Sequence, residues 1–181
     1  MVIAVSGVSG GGKTTAVKEL LNLLEGSVAI HFDSYAGDLL GMDYCQWSEA
    51  GADANAWHLD GIVRDIQRRI DEGHRYILVD YPFGRAYRDI AKLTDLAVFI
   101  DTPLDVAFAR RIVRDYCRRD PSRRPIADPL ERIAQDTDFY LKRHRATYLM
   151  HMATVMPTCD LVISGMATPR EIALSIAANI R

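Results

Sequence analysis

The sequence predicts an α/β fold, a parallel β-sheet covered on both faces by helices. Three observations predict it. Short apolar runs recur along the 181-residue chain, at Val2–Val5, Ser27–His31, Tyr76–Asp80, Leu96–Asp101 and Leu161–Ser164. They are rich in β-branched residues and continuously apolar, as strands buried on both faces are. Between them lie stretches with helical periodicity, roughly 14–25, 59–72, 103–119, 129–155 and 168–180. A glycine-rich segment joins the first strand to the first helix. Strand alternating with helix implies right-handed βαβ units, whose ligands bind beyond the carboxyl ends of the strands.

The first strand leads into Gly7-Val8-Ser9-Gly10-Gly11-Gly12-Lys13-Thr14-Thr15, which fits G-x-x-x-x-G-K-[ST], the phosphate-binding P-loop. Its context supports it: a strand before, and after it a helix with Ala16, Leu20, Leu23 and Leu24 on one side. Glycines let backbone N–H groups converge on phosphate oxygens, and the helix start adds partial positive charge. Gly7, Ser9, Gly10, Gly11, Gly12, Lys13, Thr14 and Thr15 are the expected phosphate-binding residues, with Lys13 on the β- and γ-phosphates and the Thr14 hydroxyl on Mg²⁺.

Local signals bound the other helices. Gly26 and Gly73 stand where helices should stop. Thr102-Pro103, Asp128-Pro129 with Glu131, and Thr168-Pro169 with Glu171 stand where helices should begin. Residues 33–58 read as loop-rich, with Tyr35, Tyr44, Trp47 and Trp57 among acids; residues 118–128 read as a loop rich in Arg, Pro and Asp.

Polar features fall just after strands. Asp33 follows the second strand, where a carboxylate can accept the proton of an attacking hydroxyl or hold Mg²⁺ through water; an Asx-turn or cap is the alternative. Asp80 closes the third strand, where a Walker-B-type metal ligand stands, with a turn aspartate as the alternative. Asp101 and Thr102 are read as capping the next helix. Seven arginines, Arg110, Arg111, Arg114, Arg118, Arg119, Arg123 and Arg124, fall within fifteen residues. Arg111 and Arg114 share a helix face. Guanidinium groups there can spread over a phosphoryl group in transfer, while several of the seven suit a solvated face paired with Asp105, Asp115 and Asp120. Tyr140, His144 and Tyr148 form one stripe, read as a half-buried amphipathic face, with His144 at the cleft as the alternative.

Composition excludes several classes. Apolar residues make 49% and charged residues 25%, with a formal net charge of −2, so no global field marks a nucleic-acid partner. No apolar run approaches the length of a membrane span, and the chain enters an apolar strand at Val2 without a basic leader, so a cytoplasmic location is expected. The 3 cysteines are far apart and fit reduced thiols. The length suits one domain, 1–181, with an acceptor-side region at 33–58 and a lid at 110–128.

These motifs together resemble the uridine kinase, nicotinamide riboside kinase and phosphoribulokinase group of P-loop kinases. IAVSGVSGGGKTT is similar to the group's opening strand and P-loop, FDSY to its second-strand motif, AWHLDGIVRDI to the helix after its acidic loop, YILVDYPFG to its third strand, FIDTPLDVAFARRIVRD to its fourth strand and lid helix, and MPTCDLVISG to its last strand. The resemblance implies a three-layer α/β/α P-loop NTPase fold with a five-stranded parallel sheet in the order 2-3-1-4-5 and a small arginine-rich lid. It implies ATP and Mg²⁺ as cofactors and a small-molecule hydroxyl acceptor. By resemblance Asp33 is the base, Tyr35 lies near the acceptor, Asp53 contacts a sugar hydroxyl, and Arg111 and Arg114 touch phosphate. The third strand departs from the group in ending on Asp80 where Glu-Gly is usual. Gly73 leads almost directly into the third strand, without the hairpin that carries a tyrosine and a histidine in uridine kinases. That departure argues against plain uridine or cytidine specificity and leaves nicotinamide riboside, another nucleoside, a sugar or a vitamin-like alcohol. A non-catalytic nucleotide-binding module and a nucleoside-monophosphate kinase are the rival readings. The second would want arginines between 33 and 58, and none is there.

Overall fold

The computed structural model describes residues 1–35, 43–117 and 128–180. The strands β1 (Val2–Ser6), β2 (Ser27–His31), β3 (Tyr76–Asp80), β4 (Leu96–Asp101) and β5 (Leu161–Ser164) form one parallel sheet in the order β2-β3-β1-β4-β5. This is the expected fold and strand order. The continuous apolar runs have their reason here, because the pleat sends alternate residues to two separate cores. Val2, Ala4, Ile77, Val79 and Phe99 face one side, against Trp47, Trp57, Ile62, Ile66 and Ile90. Ile3, Val5, Leu78, Val98 and Ile100 face the other, against Val17, Leu20, Ile172 and Ile176.

The helices are α1 (Lys13–Leu23), α2 (Tyr44–Glu49), α3 (Asp60–Asp71), α4 (Arg88–Leu93), α5 (Leu104–Ile112), α6 (Pro129–Phe139), α7 (Arg145–Val155) and α8 (Pro169–Ala177). Gly26 and Gly73 follow α1 and α3 with φ of 77° and 78°, the left-handed conformation that ends a helix. Thr168 and Glu171 form a capping box at α8, and the Asp128 side chain accepts from the Glu131 N–H at α6.

Several boundaries differ from the sequence reading. The loop-rich stretch 33–58 contains α2, opened by a capping box between Asp43 and Gln46, and α4 is a further short helix. The long helix expected over 129–155 is α6 and α7 joined by a π turn at Tyr140–His144, and α5 likewise continues into a π turn at Val113–Cys117. Thr102 does not cap α5, whose N-cap position is Pro103 with no side-chain cap. Its hydroxyl instead donates to the Gly11 carbonyl at 2.9 Å. The loop expected at 118–128 lies, but for Asp128, outside the described residues, as do Arg118, Arg119, Arg123 and Arg124. No described helix is long and apolar enough to cross a membrane.

Candidate active site

Strand register sets the floor of the site. Asp80 of β3 is paired in register with Val5 of β1 on one side and with His31 of β2 on the other. All three stand at the carboxyl ends of their strands. The P-loop leaves β1 two residues after Val5, so it rises beside Asp80. The turn Phe32–Tyr35 leaves β2 directly after His31, which brings Asp33 to the same end of the sheet.

The loop is held in shape from several sides. The Gly11 N–H donates to the Val8 carbonyl at 2.9 Å, and the Gly11 carbonyl accepts from Thr102. A peptide unit is planar, so anchoring the Gly11 carbonyl aims the Gly12 N–H the opposite way, into the cradle. Gly10 has φ of 81°, and a Cβ placed on it would lie 2.2 Å from the Ala107 carbonyl oxygen. The loop therefore packs against the backbone of α5 at a distance that no side chain allows. Val8 adds an apolar contact in a small core with Ala107, Tyr140 and Tyr148. Thr14 and Thr15 are exposed in the first turn of α1, and Ser9 is half-buried at the loop's crest.

Lys13 donates to the Gly7 and Val8 carbonyls at 2.9 and 3.1 Å. Burial lowers the pKa of its ammonium, and the nearby carboxylates of Asp80 and Asp33 oppose that shift. The Thr14 hydroxyl donates to Asp80 Oδ2 at 2.6 Å, and His31 Nδ1 lies 3.1 Å from the same oxygen. Thr14 and Asp80 thus bring two hard oxygen donors together beside the cradle. That donor set fits Mg²⁺, which is held by few protein oxygens together with nucleotide phosphates.

The other expected residues are distributed around this floor. Asp33 is exposed and accepts no hydrogen bond from a described side chain or backbone group, while its charge reaches both Lys13 and Arg114. Arg111 donates to the Tyr148 hydroxyl at 3.0 Å. Arg114 makes a forked pair with Asp115 at 2.6 and 3.0 Å, which raises its pKa, with Asp33 contributing less. Tyr35 donates to Asp65 on α3; burial, and then that bond, push its phenol up to about 12. Asp53 caps the turn Ala54–Ala56, accepting from the Asn55 N–H and side-chain amide at 2.9 Å each. The same Asn55 side chain receives the Arg88 N–H at 2.9 Å and donates to the Ala86 carbonyl at 3.2 Å. Asp53 therefore belongs to a joint between its turn and the start of α4. The stripe Tyr140, His144, Tyr148 is a packing face: both tyrosines are buried and His144 stacks on Tyr148. Residues 72–75 alone join α3 to β3, with no hairpin between them.

Two histidines escape a reading of the sequence. His31 ends an apolar run, and aligning the equally long runs SVAIH and YILVD places it beside Asp80. His151 is buried, with Nε2 2.7 Å from the Pro82 carbonyl and Nδ1 2.6 Å from the Tyr44 hydroxyl. A carbonyl only accepts, so the proton sits on Nε2 and Tyr44 donates to Nδ1. Burial lowers its pKa to about 4. Tyr44, Trp47, Phe83 and Phe99 surround it and fasten α2 to α7.

Comparison with known proteins agrees with this geometry. The model of the phosphoribulokinase / uridine kinase family matches residues 64–160, more than half of the chain. The P-loop lies outside that segment, so motif and match are independent observations. The chain is similar to a uridine kinase of Borrelia duttonii, at 25% identity over 90% of this chain and 85% of the relative. It is also similar to a uridine kinase of Leuconostoc citreum, at 28% identity over 71% of this chain and 74% of the relative. Among solved structures, it resembles a shikimate kinase from Aquifex aeolicus with a TM-score of 0.53 at 18% identity, covering 98% of this chain and 95% of the other. A sugar kinase from Janibacter sp. gives a TM-score of 0.56 at 19% identity, covering 98% and 92%. At these identities the two structures speak to the fold alone.

Proposed function

The chain belongs to the phosphoribulokinase / uridine kinase family, and on that premise we propose that it transfers the γ-phosphoryl group of ATP to a hydroxyl of a small, nucleoside-like or other alcohol substrate. The observation that carries the reading is Asp33. Its carboxylate is exposed, free of described hydrogen-bond partners, and at the same sheet end as the P-loop. Such a group is available to orient the acceptor hydroxyl and take its proton. In this reading Gly7 to Thr15 hold the triphosphate, and Lys13 leaves the loop carbonyls for the phosphates. Thr14 and Asp80 hold Mg²⁺, which when bound neutralises charge on the β- and γ-phosphates. Arg111 and Arg114 turn from Tyr148 and Asp115 to the phosphoryl oxygens. Positioning and electrostatic stabilisation account for the rate. Residues 33–58 form the acceptor side, with Tyr35 and Asp53 shaping its wall through Asp65 and Asn55, and 110–128 form the lid of a single domain.

The absence of arginine and lysine between 33 and 58 favours an uncharged or cationic acceptor over a nucleoside monophosphate. The missing hairpin between α3 and β3 weighs against uridine and cytidine as the preferred acceptors. The test follows ADP release at fixed MgATP over a panel of nucleosides including nicotinamide riboside, nucleoside monophosphates, pentoses, pantothenate and aminoglycosides. One acceptor is expected to raise turnover well above the water background. Asp33→Asn is expected to lower kcat by at least about a hundredfold with nucleotide affinity kept, and Lys13→Ala to abolish turnover with the fold intact. If Asp33→Asn weakens only ATP binding, Asp33 is not the base. If tight nucleotide binding comes with no stimulation by any acceptor, the non-catalytic reading gains.

A further inference from the structure

Asp80 is buried, yet it has two neighbours that matter to its carboxylate, one on each side. Thr14 on α1 donates to Oδ2 at 2.6 Å. His31, its in-register partner on β2, approaches the same oxygen through Nδ1 at 3.1 Å. A carboxylate oxygen only accepts, so Nδ1 carries a proton, and Nε2 is the ring nitrogen left away from Asp80. Among the described residues no hydrogen bond reaches Oδ1, so the carboxylate is held entirely through Oδ2. The Lys13 ammonium is close enough to attract Asp80, and Asp80 is the largest of the charges that favour its protonated form. The P-loop follows β1 and His31 ends β2, the two strands that flank β3, so His31 bonds Oδ2 from the neighbour strand opposite the loop.

We propose that His31 is a positioning residue for the metal-side carboxylate: its Nδ1–H holds Asp80 against Thr14, so that the two oxygens are set for Mg²⁺ before nucleotide arrives. The proposal rests on the reading that Thr14 and Asp80 hold the Mg²⁺ of the bound nucleotide. It goes beyond that reading in giving a role to a residue that is not among the ligands proposed for metal or nucleotide. Hydrogen bonds to a ligating carboxylate fix its orientation, and their loss typically weakens metal affinity by about ten- to a hundredfold.

The experiment measures the Mg²⁺ concentration at half-maximal stabilisation of the intact protein by ADP, read as a thermal shift, together with ADP affinity in EDTA. His31→Ala is expected to raise the Mg²⁺ midpoint about tenfold, with metal-free ADP affinity unchanged. His31→Asn places an amide N–H where Nδ1 stood and is expected to return the midpoint to within about twofold of wild type. A histidine that merely fills space would lower the melting temperature in every variant and leave the midpoints alike, which overturns the proposal. A midpoint that falls in His31→Ala also overturns it, since His31 then competes with the metal. So does a His31→Asn midpoint as high as that of His31→Ala, because the N–H is then not the operative group. If wild type itself shows no Mg²⁺ dependence, the assignment of Thr14 and Asp80 fails as well, and that outcome is distinct from one in which only His31 proves silent.

Discussion

Thr102→Val isolates one buried bond and asks what it does. The hydroxyl of Thr102 is fully buried and donates to the Gly11 carbonyl at 2.9 Å. It is boxed in: a Cβ on Gly165 would lie 1.7 Å from it, so no water can take its place. Valine fills nearly the same volume and leaves the carbonyl without a partner. Losing the bond and orphaning a buried acceptor costs about 1–3 kcal/mol. For a chain of this size each kcal/mol corresponds to about 2–4 °C in melting temperature, so the fall should be roughly 5 °C. Serine keeps the hydroxyl and should stay much nearer to wild type. The second readout is nucleotide affinity by titration. Because the Gly11 carbonyl and the Gly12 N–H share one peptide plane, freeing the carbonyl loosens the aim of that N–H, and affinity should fall in Thr102→Val. A helix cap would change stability alone. Unchanged melting and unchanged affinity in Thr102→Val, or a serine variant as impaired as the valine one, would falsify the brace.

Two further perturbations probe separate parts of the molecule. Gly10→Ala puts a methyl 2.2 Å from the Ala107 carbonyl oxygen at a φ of 81°; the backbone strain alone costs about 1–2 kcal/mol, and α5 must retreat from the loop. Nucleotide affinity should drop at least tenfold, and calorimetry showing wild-type affinity would contradict the close packing. His151 has its pKa lowered to about 4 by burial, so between its ordinary value near 6.5 and about 4 the unfolded chain binds the extra proton. Stability therefore declines as pH falls through that window, by about 3 kcal/mol in total from this one group. His151→Gln lacks the titration, and the gap in melting temperature between wild type and variant should narrow from pH 7 to pH 5; a constant gap means that His151 does not carry the effect.

Much of this architecture is readable before any coordinates. The strands announce themselves because both faces of a central parallel sheet are covered, which forbids alternation with polar residues. The P-loop is a local motif whose flanking strand and helix are equally local. What escapes depends on contacts made across the chain. Thr102-Pro103 has the form of a helix start, but a carbonyl 91 positions away in sequence claims the hydroxyl. His31 looks like the polar end of a strand, and only pairing β2 with β3 shows that it faces Asp80. Tyr44–Glu49 lacks the length for a helical period to show, and its aromatics serve the joint around His151. Tyr35 and Asp53 have hydrogen bonds with Asp65 and Asn55 that no motif announces.

The tether between Lys13 and the Gly7 and Val8 carbonyls has a kinetic consequence. Through those two bonds the loop clasps a cation of its own, drawn from the first residue of α1. On the reading proposed above, capture of a triphosphate would be a substitution at nitrogen, two carbonyl partners exchanged for phosphate oxygens. Release would reverse the exchange, with the same two carbonyls taking the ammonium back. The nucleotide-free protein should accordingly resist proteolysis at residues 7–13 almost as well as the bound form.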